Sequence, residues 1–332
     1  MKGLPKGYSA RPIASGDVEA IVSLVNARSR RVLGRDTATP ERFRLMMGTR
    51  GFSLETDTRL ILSPKGEAVG LGYVLDVEEP HVQVESSGVV HPDHTGNGIG
   101  SAILSWIEAR AKEAIPKAPP EARVSVHQGA DDADKLAQAL LERHGFRPIR
   151  HFWRMVVALD GPVPAAVWPE GIRVRTFRSQ ADLRPILLAL REAFQDHWGY
   201  IESPFEDELS RFQERLARDS DFDPTLVFIA EEGAKIAGVC YARPKTGTDR
   251  TMGYVQTLGV RRPWRRRGLG LALLHHAFAE FRRRGSKKVA LHVDAQSLTG
   301  ATRLYEKAGM RADETGHAYE KELRPGTELA TQ

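Results

Sequence analysis

The sequence predicts an α/β fold of two tandem domains, each with a mixed, mostly antiparallel sheet and flanking helices. The first observation is length, since 332 residues exceed what one ordinary hydrophobic core organises. The second is an internal repeat, in which three landmarks occur twice in the same order. They are a Pro-x-Gly strand start at 5–11 and 169–175, a glycine loop at 96–100 and 266–270, and a helix end followed by glycine at 140–146 and 304–310.

The junction between the two copies is a proline-rich stretch. Residues 161–168 include Gly161, Pro162 and Pro164 and interrupt both the strand and the helix periodicity. We therefore expect an N-terminal domain at 1–160, a linker at 161–168 and a C-terminal domain at 169–324. The polar residues 325–332 show no pattern and predict a disordered tail.

The order of elements is clearest in the second copy. A hairpin precedes a third strand, a glycine-rich turn and a long helix, and a further strand and a short helix follow. The predicted strands are 226–231, 236–242, 253–260 and 288–294, and the predicted helices are 268–283 and 299–307. The first copy repeats this path at 60–63, 69–74, 83–90, 98–112 and 123–127. Strand, helix and parallel strand form a right-handed crossover, whereas the hairpin is antiparallel, so each sheet is mixed.

The composition narrows the class of protein. Hydrophobic residues make up 41% and charged residues 27%, as in soluble globular proteins. No apolar stretch approaches the roughly 20 residues of a membrane span, and the N-terminus lacks the apolar core of a signal peptide. The single cysteine, Cys240, cannot form an internal disulfide, so we expect a cytoplasmic protein. The net charge of +5 favours anionic ligands in general.

The turn at residues 265–270 has the chemistry of an anion site. It follows a predicted strand and begins a helix, whose first backbone N–H groups are free and whose dipole favours negative charge. Gly268 and Gly270 keep side chains away from this backbone. Arg265, Arg266 and Arg267 add guanidinium donors that suit phosphate oxygens.

Three other interpretations of this turn fit less well. A solvated basic run or a nucleic-acid patch would not need the glycines. A dinucleotide-binding turn would have a third glycine where this chain has Leu273. A nucleoside-triphosphate loop would need Gly-Lys-Ser/Thr, which the turn lacks. We therefore predict that the turn binds a pyrophosphate and that nucleic acid is not a partner.

Two motifs together resemble those of a known superfamily. Arg265-x-x-Gly268-x-Gly270 follows a strand, and the segment 304–310 reads Leu-Tyr-Glu-Lys-Ala-Gly-Met. They look like the pyrophosphate signature and the Leu-Tyr-Glu-Lys-x-Gly-Phe segment of the GNAT superfamily of acyl-CoA-dependent N-acyltransferases. The resemblance is strong in the second copy and weak in the first. The tandem arrangement is similar to that of the mycothiol synthases, although many tandem members act on other substrates.

The resemblance implies how acetyl-CoA, the expected co-substrate, would bind. In the family a bulge ends the pairing of the two central strands, which splay apart, and the pantetheine arm lies in the gap. Leu258, Gly259 and Val260 would then contact the pantetheine and the thioester, and one of their N–H groups would polarise the thioester carbonyl. The pyrophosphate would be held by residues of the turn, namely Arg265, Arg266, Arg267, Gly268, Leu269, Gly270 and Leu271.

The resemblance also implies catalytic roles. Tyr305 occupies the family position of the general acid, which protonates the departing thiolate. The family often has a basic Glu on the strand before the turn, but residues 254–257 contain no carboxylate. His292 and Asp294 on the next strand are the candidate bases, with Asp294 better placed near the open end of the sheet. If neither serves, solvent takes the proton. No metal is expected.

The first copy departs from the family pattern at its functional positions. Thr95 replaces the expected Arg or Gln, and Leu141 stands where the second copy has Tyr305. A leucine cannot protonate a thiolate, so we expect this domain to be catalytically silent. It either binds acetyl-CoA as a structural ligand or binds nothing and completes the acceptor cleft.

The acceptor is expected to be the primary amine of a small molecule. A segment rich in carboxylates and aromatic rings would suit a cationic amine or a sugar, although it would equally suit a helix end with ordinary packing. The segment contains Glu192, Asp196, His197, Trp198, Tyr200 and Glu202. Two alternatives remain: a non-catalytic acyl-CoA-binding or sensor protein, and a peptide or protein N-terminal acetyltransferase. The sequence is compatible with a monomer or a homodimer.

Overall fold

The computed structural model describes residues 1–297 and 300–331. The N-terminal half follows the predicted path, with further elements before and after it. Its strands are β1 (Ser9–Arg11), β2 (Thr58–Leu62), β3 (Ala68–Leu75), β4 (Gln83–Val90), β5 (Val124–Asp131) and β6 (Arg147–Ala158). Its helices are α1 (Val18–Leu33), α2 (Pro40–Met47), α3 (Leu54–Asp57), α4 (Ile99–Ala111) and α5 (Lys135–Arg143).

The C-terminal half repeats this order. Its strands are β7 (Ile172–Thr176), β8 (Val227–Glu232), β9 (Lys235–Arg243), β10 (Met252–Val260), β11 (Lys288–Asp294) and β12 (Arg311–Arg324). Its helices are α6 (Leu183–Phe194), α7 (Phe205–Arg218), α8 (Leu269–Arg283) and α9 (Ala301–Lys307). The predicted start of the last helix, Thr299, lies outside the described residues. None of the helices in the described chain has both the length and the apolar character needed to cross a membrane.

The chain forms two compact units whose bounds differ from the predicted domains. The N-unit contains Met1–His151 and Gly316–Leu329, and the C-unit contains Phe152–Thr315 and the chain from Ala330. The reason is an exchange of strands. The part of β12 from Gly316 onward pairs with β5 in the N-unit, and the part of β6 from Phe152 pairs with β11 in the C-unit. Each repeat therefore completes its sheet with a strand from the other repeat.

The predicted disordered tail is wrong for the part that the structure describes. In the N-unit, Thr327 N–H donates to the Glu121 carbonyl at 2.7 Å. In the C-unit, Thr331 accepts from Gly199 N–H at 2.8 Å and donates to the Tyr200 carbonyl at 2.9 Å. Backbone pairing outweighs the polar composition of this segment. The last residue, Gln332, lies outside the described chain.

The N-unit sheet has the order β1-β2-β3-β4-β5-β12, with helices on both faces. Helix α1 ends at Gly34, whose φ of 70° suits a residue without Cβ, and its N–H caps the Arg30 carbonyl. One core lies between α4 and the sheet, and a second lies under α1. Their buried side chains include Val84, Ile103, Ile107 and Val126 in the first and Ile21, Leu24, Leu60 and Leu71 in the second.

The C-unit sheet has the order β6-β11-β10-β9-β8-β7 and the same two-sided plan. Helix α8 buries a stripe at helical spacing, from Leu269 through Leu273 and Ala277 to Phe281. The face of the sheet that carries α8 and α9 includes the side chains of Phe228, Cys240, Leu291 and Val293. The opposite face, which carries α6, includes those of Ile229 and Val239.

The C-unit sheet is splayed at its centre, as the sequence resemblance implies. Strands β10 and β11 run parallel and pair only from Met252 to Tyr254 on β10. Immediately beyond, the register of β10 against β9 shifts between Val255 and Thr257, which is a bulge at Gln256. From there to Val260, β10 pairs with β9 alone. The predicted mixed and splayed sheet is thus confirmed.

Candidate active site

The gap beyond the bulge is lined by backbone groups of β10. Arg261 N–H donates to the Ala237 carbonyl of β9 at 3.0 Å, so the N–H and C=O groups of Arg261 point toward β9. The direction of these groups alternates from residue to residue along a strand. The N–H and C=O groups of Leu258 and Val260 therefore point away from β9, into the gap. The C-unit therefore presents two N–H donors where β11 no longer pairs.

The glycine turn lies at one end of this gap, and its geometry is the one that an anion cradle requires. Gly268 is the N-cap residue of α8 and has a φ of 86°. A Cβ at this residue would meet no atom within 4 Å. The N–H groups of the first turn of α8 have no carbonyl partner within the helix. Open space, free N–H groups and a positive helix end together suit a pyrophosphate.

Gly270 has a packing role that the sequence did not predict. A Cβ at this position would lie 3.0 Å from Leu304 Cδ2. Gly270 therefore allows α8 to approach α9, which bears Tyr305.

Arg265 is engaged within the protein. Its Nη1 and Nη2 donate to the Asp196 carboxylate at 2.5 and 3.0 Å, and Nη2 also donates to the Ala193 carbonyl at 2.8 Å. Its Nε donates to the Val260 carbonyl at 3.1 Å. This guanidinium is thus tied to the end of α6 and fixes the shape of the turn, whereas the sequence predicted phosphate contacts for it.

The neighbouring arginines divide into paired and free groups. Arg261 pairs with Glu192 at 2.6 Å, and Arg267 pairs with Glu232 at 3.1 Å. Arg266 is exposed, has a φ of 60° and forms no ion pair with any described residue. Arg266 is therefore the arginine of the turn whose charge is most available to an anion.

Tyr305 lies on the α8 side of the gap. It is 8% exposed and packs in the same core as Cys240, the residue that faces Leu258 across the β9–β10 ladder. Burial raises the pKa of Tyr305 well above its usual value of 10, and the nearby Cys240 and Tyr254 add to this. Its hydroxyl has no hydrogen-bond partner among the described residues. Tyr305 is thus a neutral phenol with an unused donor.

Cys240 itself offers no reactive thiolate. It is fully buried, and burial raises the pKa of its thiol to about 12. A thiol with that pKa stays protonated at neutral pH, so Cys240 is a core residue of β9.

His292 and Asp294 lie on the opposite, α6 side of the sheet. Leu291 and Val293 are buried in the core under α8, and side chains alternate along β11. His292 Nδ1 and Tyr254 Oη are hydrogen-bonded at 2.8 Å. Asp294 Oδ1 accepts from Gln296 N–H at 2.9 Å at the end of the strand. The candidate acid and the two candidate bases thus lie on different faces of the splayed sheet.

The predicted carboxylate-rich acceptor segment is differently organised. Its carboxylates pair with arginines: Glu192 with Arg261, Asp196 with Arg265, and Glu202 with Arg191. The sequence could not show the first two pairs, because their partners lie 69 residues apart along the chain. These carboxylates fix the glycine turn and α6 and do not form an acidic pocket.

His197 lies in the same segment, and the sequence did not indicate it as a candidate base. Its ring lies 4.5 Å from the Phe194 ring, measured between centroids. Burial lowers the pKa of His197, and Asp294 is among the charges that act on it. His197 is thus a half-buried, largely neutral imidazole at neutral pH.

The N-unit lacks the tyrosine and the bulge of the C-unit. Leu141, where the C-unit has Tyr305, is buried in the core. Strand β4 pairs with β3 without a register shift, and its pairing with β5 continues to Ser86, whose Oγ donates to the His127 carbonyl at 2.8 Å. A Cβ on Gly98 would lie 4.0 Å from the Gly3 carbonyl oxygen, so the chain near the N-terminus lies beside this cradle.

Comparisons with known proteins cover nearly all of the chain. A model described as the acetyltransferase (GNAT) family matches residues 187–310, and one described as an acetyltransferase (GNAT) domain matches 54–148. The chain is 31% identical over 297 residues to a mycothiol acetyltransferase of Thermobispora bispora, with 89% of this chain and 92% of the relative covered.

Two solved structures of acetyltransferases of this type are similar over nearly the whole chain. A GCN5-related N-acetyltransferase from Sphaerobacter thermophilus is 36% identical, with a TM-score of 0.82 and coverage of 99% of this chain and 100% of that one. A tandem GNAT protein from the clavulanic acid biosynthesis pathway is similar in fold, with a TM-score of 0.71 at 15% identity. The match covers 96% of this chain and 100% of that one.

Proposed function

Since the chain belongs to the GNAT family of acetyltransferases, we propose that it moves an acetyl group from acetyl-CoA to a primary amine of a small molecule, with the C-unit as the catalytic half. The observation that carries the proposal is the coincidence of three features in the C-unit. They are the bulge at Gln256 with the gap beyond it, the open cradle at Gly268, and Tyr305 beside the gap. The N-unit has a glycine cradle but neither the bulge nor the tyrosine.

The chain's own groups fit acetyl-CoA as a substrate. The first-turn N–H groups of α8 and the side chain of Arg266 would hold the pyrophosphate, with Arg265 shaping the turn from behind. Leu258 and Val260 would contact the pantetheine. The Leu258 N–H is the donor that we assign to the thioester carbonyl, because it points into the gap and lies across from Cys240, beside Tyr305.

Tyr305 would donate its proton to the departing sulfur. Its raised pKa keeps the phenol protonated, which suits a donor. An ordinary thiol has a pKa of about 8.5, so full transfer from a phenol is uphill in water. In the buried site the thiolate is also poorly solvated, and the phenol is the donor that relieves its charge.

Attack by the amine is assigned to the α6 side of the gap. His292, bonded to Tyr254, and Asp294, at the open end of β11, both face this side. Either could assist the departure of the amine proton, and both remain candidates from the sequence. The relatives' name makes the amine precursor of mycothiol the first acceptor to test.

The proposal predicts thiol release that depends on both substrates. The purified chain should release free thiol from acetyl-CoA when mixed with a panel of amines that includes the mycothiol precursor, an aminoglycoside, a polyamine and a peptide. Tight acetyl-CoA binding without turnover on any amine would contradict the proposal and favour a sensor. Turnover only on the peptide would favour N-terminal peptide acetylation instead.

Arg266 permits a second prediction. A left-handed residue with a Cβ costs about 1 to 2 kcal/mol relative to glycine, and the first copy has Gly96 at this place with a φ of 81°. We expect Arg266→Gly to be about 1 kcal/mol more stable to urea than Arg266→Ala, after allowing for the greater chain entropy of glycine. Both variants should bind CoA more weakly than the parent, and by the same factor, because both lose the charge. A difference in CoA affinity between the two would show that backbone shape and not charge sets binding.

A further inference from the structure

We infer that His197 is the group that takes the proton from the acceptor amine, with Asp294 balancing the charge that His197 gains. The inference rests on the proposed function, since it concerns the same acetyl transfer. His197 belongs to the segment between α6 and α7, and Asp294 to the end of β11.

The position of His197 follows from two packing contacts. A Cβ on Gly259 would lie 3.3 Å from the Phe194 ring carbon Cε2, so that ring lies against β10 in the splayed region. The His197 ring is packed edge-on to the same Phe194 ring, with centroids 4.5 Å apart. Phe194 therefore holds the imidazole beside the stretch of β10 assigned to the thioester, on the face opposite Tyr305.

The segment that bears His197 is fixed at both ends. His197 N–H donates to the Phe194 carbonyl at 2.9 Å, and Tyr200 N–H donates to the His197 carbonyl at 3.2 Å. Thr331 pairs with Gly199 and Tyr200, so the C-terminal segment straps the turn. A histidine in a turn held on both sides has a defined position, which a general base requires.

The charges around His197 come from three elements. Asp196 lies in its own segment, Arg265 in the glycine turn and Asp294 on β11. Asp196 and Arg265 are paired with each other, so their opposite charges largely cancel. Asp294 favours the imidazolium, while burial, the largest influence, disfavours it and lowers the pKa of His197. The imidazole is therefore free to accept a proton at neutral pH.

Two protons leave the acceptor nitrogen during the reaction. The acceptor ammonium gives one proton to the neutral imidazole of His197, and the resulting amine attacks the thioester carbon. A C–N bond forms, the C–S bond breaks, and Tyr305 gives its proton to the sulfur. The second proton that leaves the nitrogen restores Tyr305 through solvent, and His197 releases its proton to water. The net result is one amide, one thiol and one proton.

The test is the pH profile of kcat at saturating acetyl-CoA for the full chain. The parent should lose activity as the pH falls through the pKa of His197, which burial holds below its usual value, because the imidazole becomes protonated. His197→Ala should lose about 100-fold in kcat and lack this acid limb. Added imidazole should restore part of the activity by entering the space left by the side chain. Gln195→Ala, an exposed change in the same segment, should match the parent.

Asp294→Asn and His292→Ala distinguish His197 from the other two candidate bases. Asp294→Asn should shift the acid limb to lower pH, because Asp294 favours the protonated imidazole. A loss in Asp294→Asn as large as in His197→Ala, with no shift, would assign the base to Asp294 and overturn the inference. An acid limb that persists in His197→Ala but disappears in His292→Ala would also overturn it. Unchanged CoA-induced stabilisation of His197→Ala would show that the variant is folded. A parent protein that releases no thiol with any amine would refute the proposed function itself, and the role of His197 with it.

Discussion

Tyr305→Phe should lower kcat by about 100-fold or more and leave CoA binding unchanged, because it removes the donor to the leaving sulfur and little else. The hydroxyl has no hydrogen-bond partner among the described residues, so its loss should leave the free energy of unfolding nearly unchanged. Initial rates of thiol release and CoA titration of the same preparation would measure both effects. The raised pKa of Tyr305 also predicts that the parent does not lose activity through this residue below pH 10.

A control for this variant is present in the N-unit. Tyr319 is also buried, at 2% exposure, its hydroxyl donates to Glu142 at 3.4 Å, and it belongs to the N-unit and not to the C-unit that bears the proposed site. Tyr319→Phe should keep full turnover. Normal turnover in Tyr305→Phe would refute both the acid role and the assignment of catalysis to the C-unit, since the N-unit has only Leu141 at that position.

Leu258→Pro should reduce kcat by about 100- to 1000-fold, the usual cost of losing one oxyanion donor. Proline lacks the N–H, and at this position the N–H points into the gap and not toward β9. The β9–β10 ladder should therefore survive, and the protein should still unfold cooperatively in urea. Stopped-flow measurement of thiol release and a urea titration would report the two quantities.

Two neighbouring substitutions isolate the effect of that donor. Leu258→Ala removes the side chain but keeps the N–H, so it should retain most of kcat. Thr257→Pro removes an N–H that points toward β9 and leaves its partner there unsatisfied, so it should cost about 1 to 3 kcal/mol of stability. A Leu258→Ala protein as inactive as Leu258→Pro would show that the side chain, not the backbone donor, matters at this position.

Much of the fold could be predicted from the sequence because its signals are local. The strands 83–90 and 288–294 agree with β4 and β11, since their alternation and flanking turns lie within a few residues. The glycine turn was recognisable for the same reason. The exchange of β6 and β12 was not, because a strand's partner depends on registers between segments far apart in sequence.

The candidate site also combines features that local signals indicate with contacts between distant segments that they do not. Residue types and spacing indicated the cradle, and the resemblance to the GNAT superfamily implied Tyr305 and the strand beside the gap. They could not show that Asp196 would bind Arg265, since this pair joins two distant segments. They also could not show that Phe194 places His197 beside β10. The assigned roles of Tyr305, His292 and Asp294 stay predictions until the variants are measured.

The exchange of strands has a consequence for how the protein is made. The segment Gly316–Arg324, which completes the N-unit sheet beside β5, follows the other strands and helices of the second repeat along the chain, so it is synthesised after them. Until then β5 has an open edge, and the N-terminal repeat stays unfinished throughout the synthesis of the second. A gene cut at residues 161–168 would yield two fragments. The first would carry β6, which pairs with β11 of the second, and the second would carry β12, which pairs with β5 of the first. The two halves follow one repeated plan, yet each depends on the other for one strand of its sheet.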